Sequence, residues 1–176
     1  MHHVPRQHES SEAEAVIALS DSQSASVALM GIDIENSTEK SYDEAALVSV
    51  ATFSVVKMGV HPDSDLSITI VDEDEMTDLH IQWMDLPGPT DVLSFPMDEI
   101  KPNSAADGPG VIGDIVLCPD FAAQQAVNHS LQEELELLTV HGVLHLLGYD
   151  HAEPEEHKVM FGLQDDLLAE WRGTRK

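Results

Sequence analysis

The chain has 176 residues, 42% of them hydrophobic, enough to fill one core but not two. Its 33 acidic residues against eight basic ones give a formal net charge of −25, a surface that repels polyanions and argues against unaided nucleic-acid binding. A single cysteine, Cys118, excludes an intrachain disulfide and fits a reducing compartment, with cytosol as the default; no apolar run approaches the roughly 18–20 residues of a membrane span.

Residues 1–29 are rich in Ser, Glu, Gln and Ala without a sustained apolar period and read as a mobile leader, with the domain starting near Met30. Ala13 to Leu19 is too short and too acid-flanked for a signal peptide, and His2, His3 and His8 belong to the same tail. Gly31 to Glu35 alternates as a short strand does, and Tyr42 to Met58 has helical spacing closed by Gly59. Leu66 to Val71 is a β-branched run; after the acidic Asp72 to Asp74 the pattern predicts a helix from Glu75 to about Trp83.

Pro87, Gly88 and Pro89 break the chain before a strand at Val92 to Phe95, and a polar loop, Pro102 to Gly110, precedes another at Val111 to Leu117. Helices are expected at Pro119 to Asn128 and at Leu131 to Leu147, the second capped by Ser130 with Glu133 three residues on. Gly148 ends that helix, and a last acidic helix runs from about Pro154 to Trp171. Four strands and five helices in mixed order predict a single α+β domain.

The chemistry concentrates in HGVLHLLGYDH, His141 to His151. Histidines four apart on a helix share a face, and a positive φ at Gly148 turns the chain so that His151 comes back over it. Three nitrogens with a fourth position left for water is the catalytic kind of zinc site, so one Zn2+ per chain and hydrolysis are expected. The same spacing occurs in metzincin peptidases, where the residue after the first histidine is the general-base Glu; here it is Gly142, so that chemistry lacks its base.

The segment resembles the signature of the YbeY family of metal-dependent endoribonucleases, which act in ribosomal RNA maturation and quality control of the small subunit. Thr90 to Pro96 (TDVLSFP) and Gly113 to Ile115 (GDI) resemble two further family stretches, in the family's order, and the likeness covers about Gly31 to Trp171. It implies a four-stranded mixed sheet and zinc on His141, His145 and His151. One departure stands out: many members carry an arginine shortly before the threonine segment, and this chain has Met84 and Asp85 there.

Lys57, His80, Lys101 or backbone amides are the candidates to hold a phosphate in that arginine's place, with Thr90 and Ser94 as possible cleft residues. Asp114 and Asp150 are candidates to orient a ligating histidine or assist proton transfer; the residues alone leave equally open that one is a polar strand residue and the other a turn residue. Met160 fits helix packing, Cys118 an inert thiol, and His157 either a substitute ligand or a solvated face.

With Lys57 and Lys101 the only cations between residues 41 and 157, the body should bind free RNA poorly. Specificity is therefore expected to come through basic proteins of the small ribosomal subunit meeting this acidic surface. Neither a membrane nor DNA is expected as a partner. Two other readings stay open on residues alone: a non-catalytic ribosome assembly factor with a structural zinc, and a metallohydrolase of a small substrate.

Overall fold

The computed structural model describes residues 31–175; the leader reading of residues 1–29, with His2, His3 and His8, and the start at Met30 lie outside the described residues. The chain opens with β1 (Ile32–Asn36), α1 (Glu44–Lys57) and β2 (Asp65–Ile70), a parallel crossover unit. α1 forms because its apolar positions recur at helical spacing, burying Leu47, Val50, Ala51 and Val55. Asp43 caps it by accepting from the Ala46 amide.

α2 (Glu73–Met84) begins two residues earlier than its apolar pattern suggests, because Asp72 is the N-cap, accepting from the Glu75 amide at 2.9 Å, and the acidic run forms the first turn. β3 (Val92–Pro96) and β4 (Val111–Leu117) follow, then α3 (Pro119–Ala122), α4 (Leu131–Leu146) and α5 (Pro154–Gly173). The expected helix from Pro119 to Asn128 shrinks to one turn. Beyond Ala122 the chain makes tighter turns, Gln124 and Gln125 amides donating to carbonyls three residues back, before Ser130 starts a new helix.

The sheet order is β1-β2-β4-β3, with β1, β2 and β4 parallel and β3 an antiparallel edge. The sheet is thus mixed and four-stranded, as the resemblance implies, and the described residues add five α-helices to it. On one face the main core joins Leu66, Ile68, Ile70, Ile115 and Leu117 to α1, α4 and α5; on the other, Val71, Leu93, Phe95, Val116 and Cys118 pack against Met76 of α2.

The long helix α4 is central, every residue from Leu138 to Leu146 being buried. Ser130 and Glu133 make the reciprocal capping box at its start. Its end is a Schellman motif: the Gly148 amide donates to His145 and the Tyr149 amide to Leu144, with Gly148 at φ 103°. Gly142 sets how closely α4 approaches the sheet, since a Cβ there would lie 2.9 Å from Ile115 Cδ1. Among the described residues, no helix is long and apolar enough to cross a membrane.

Candidate metal centre

His141, His145 and His151 offer ring nitrogens that lie within 4.8 Å of one another, close enough to share one ion. Two come from successive turns of α4 and the third from the turn that Gly148 opens, as the spacing predicts. The rings surround a common point: centroids are 4.5 Å apart for His141 and His145, 5.4 Å for His141 and His151, and 5.3 Å for His145 and His151.

The hydrogen bonds on the far sides of the rings select the tautomer. His145 Nδ1 lies 2.9 Å from the Tyr149 carbonyl, which can only accept, so Nδ1 carries the proton and Nε2 keeps its lone pair. His141 Nδ1 donates in the same way to Gln164 Oε1 at 2.9 Å. The Nε2 atoms of all three histidines are buried. Imidazole nitrogens that converge on one space are the donor set a borderline divalent ion takes, so the residues present fit a metal.

Phe161 of α5 walls the site, its ring 5.6 Å from that of His141 and 5.8 Å from that of His151. Gln164 sits one turn further along the same helix. Neither is evident from the histidine motif. A signal for Gln164 exists in the sequence: it is a polar residue in register with Met160, Leu167, Leu168 and Trp171, the stripe that α5 buries.

Asp150 accepts from the His151 amide at 2.7 Å, so it fixes the backbone of His151 at the turn. Asp114 is buried in β4, but the pleat places it with Val116 on the α2 side, opposite Ile115, which meets Gly142 of α4. The sheet itself therefore separates Asp114 from the histidine helix, contrary to the expected orienting role. Ser94 has the better position. It alternates with Leu93 and Phe95, which face α2, and pairs with Ile115, so its buried hydroxyl is on the α4 side.

The other candidates are not gathered at the histidines. Lys57 pairs with Glu170 at 3.2 Å, near the C-terminal end of α5. His80 is buried in α2, with Nδ1 2.9 Å from the Gly88 carbonyl, a contact that ties down the Pro87–Pro89 loop. Thr90 is buried and donates to Asp91 Oδ1 at 3.3 Å. Lys101 lies on the loop before β4, beside a separate cavity of about 220 Å³ lined by Glu99, Ser104 and Asp107. Burial pushes the Cys118 thiol up to about 11, in keeping with an inert cysteine.

An α+β domain with three converging histidines on a helix and its following turn defines a metal-dependent hydrolase. The profile of the family described as Endoribonuclease YbeY matches residues 32–172. The chain is 60% identical to the protein named Endoribonuclease YbeY of Rhodococcus erythropolis, over 81% of this chain and 82% of that one. It is 59% identical to that of Mycobacterium tuberculosis, over 81% and 84%. A solution structure from Thermotoga maritima is similar with a TM-score of 0.51 and 27% identity, over 81% of this chain and 93% of that one. The chain belongs to the YbeY family of endoribonucleases.

Proposed function

We propose that this chain is a zinc-dependent endoribonuclease that cuts single-stranded RNA during maturation and quality control of the small ribosomal subunit, in the cytosol. The observation that carries the proposal is the convergence of His141, His145 and His151, the first two in fixed tautomers, in a chain of this family. His141, His145 and His151 would hold a divalent ion, which would supply Lewis acidity toward a phosphoryl oxygen and lower the pKa of a water.

The protein's own contribution is orientation. Gln164 and the Tyr149 carbonyl keep two rings in one tautomer and one rotamer, and Asp150 holds the turn that presents the third. Phe161 excludes water from one flank. Position 142 supplies no base, and the contact with Ile115 leaves no room for the glutamate of a metzincin. The nucleophile's proton therefore does not leave through a base at position 142.

Charge supports a partner-guided enzyme. Lys40 pairs with Asp120, Lys57 with Glu170 and Arg172 with Glu136, which leaves few cations of the described residues for phosphates. We therefore expect single-turnover cleavage of small-subunit ribosomal RNA to be faster within the particle than on the same RNA stripped of protein. The difference should narrow as salt weakens the contacts to basic ribosomal proteins. Tight binding of naked RNA at physiological salt would refute partner guidance.

A second reading has one observation in its favour: His141 is fully buried and tied to α5 through Gln164, so a metal would also pin α4 to α5. In a purely structural role, removing the metal unfolds these helices; in the catalytic role it removes turnover and leaves the fold.

A further inference from the structure

Beyond the three histidines, α5 carries an aromatic pair, His157 and Phe161, whose outer member the reaction as derived does not use. His157 is exposed, and its ring stacks on Phe161 with centroids 4.1 Å apart and planes 12° from parallel. The same Phe161 flanks His141 and His151, and the His157 ring stands 6.3 Å from that of His151. The metal ligands, Phe161 and His157 thus form a continuous aromatic wall leading from the metal centre to solvent. His157 is not one of the clustered donors, so it does not serve as a substitute ligand.

We propose that the outer face of His157 is the platform on which an unpaired RNA base, one nucleotide from the cleaved phosphodiester, stacks. This rests on the endoribonuclease reading of the histidine site. The local charge favours a base over the backbone: Glu153, Glu155 and Glu156 are exposed around His157 and repel phosphates, while the π-face of a base carries no charge. Phe161 holds the imidazole flat, so the platform is ordered before substrate arrives. Every base has such a face, so the subsite selects for single-strandedness and tolerates any sequence. Lys158, the adjacent residue, is exposed and outside any ion pair among the described residues, and is the nearest cation for the next phosphate.

The test uses the full chain loaded with one zinc and short single-stranded RNA oligonucleotides carrying 2-aminopurine or an abasic ribose at each position in turn. The wild type should quench 2-aminopurine at one position. His157→Ala should lose that quench and raise KM roughly tenfold, with a smaller change in kcat, and His157→Tyr should restore both. An abasic ribose at that position should weaken the wild type and add nothing to His157→Ala, and the loss should persist at raised salt, whereas that of Lys158→Ala should fade. Equal quench and KM in His157→Ala and wild type would overturn the platform. So would a defect confined to ribosomal particles, which would assign His157 to a protein contact. A wild type that cleaves no single-stranded RNA would instead overturn the endoribonuclease reading beneath it.

Discussion

His145→Ala is expected to abolish stoichiometric metal binding and lower metal-dependent RNA cleavage by more than about 100-fold, with the far-UV circular dichroism of the wild type retained. His145 is buried in the last turn of α4, and its Nδ1–H is already committed to the Tyr149 carbonyl, so the substitution leaves two nitrogens and an enlarged site. Alanine is the best helix former, so α4 itself should persist. Gln164→Leu makes the comparison informative: it keeps all three ligands and removes the acceptor that fixes the His141 tautomer. Loss of such a partner lowers metal affinity by roughly 10–100-fold, so this variant should fall between the wild type and His145→Ala. Competition with a chelator of known affinity measures both. Wild-type metal affinity in His145→Ala would mean that the ion sits elsewhere.

Gly113→Ala should destabilise the domain by about 3 kcal/mol or more, a large part of the roughly 5–15 kcal/mol that holds a domain together. Gly113 has φ 145° and sits where the β2–β4 register shifts, Asp65 pairing with Val111 but Leu66 with Gly113. A Cβ there would lie 2.3 Å from the Phe95 carbonyl oxygen, 3.0 Å from Pro96 Cα and 3.1 Å from Leu146 Cδ2. Two of those atoms are backbone of the edge strand and cannot swing aside. The third belongs to α4, one residue after His145, so the strain should also reach the metal centre. Urea unfolding of both proteins at equal metal loading gives the difference; a change within about 0.5 kcal/mol would mean that the edge strand yields freely.

The elements and the clustering of the three histidines were legible because they depend on local pattern. Apolar spacing marked the strands, Ser130 and Glu133 marked the start of α4, and Gly148 its end. What was not legible depends on which face of the sheet a residue occupies. Asp114 follows a glycine in a motif and looked like a companion of the histidines, but the pleat turns it toward α2; Ser94, equally plain in sequence, faces α4. Lys57 was a candidate for phosphate only until its ion pair with Glu170, over a hundred positions along the chain, was in view. Phe161 and Gln164 were hidden because they lie on a different helix from the first two ligands, and only tertiary packing brings α5 against them. The short α3 was missed because propensity through Gln124 and Gln125 favours continuing a helix that the chain must leave to reach Ser130.

The most direct test of the central claim is a titration of the metal-free full chain with zinc, following single-turnover cleavage of single-stranded RNA and circular dichroism in the same samples. Cleavage should rise linearly with added zinc and level off at one equivalent per chain, while the helical signal stays nearly constant throughout. Cleavage that is undiminished in the metal-free protein, or a fully loaded protein that folds on binding zinc yet cuts no RNA, would contradict a catalytic role for His141, His145 and His151.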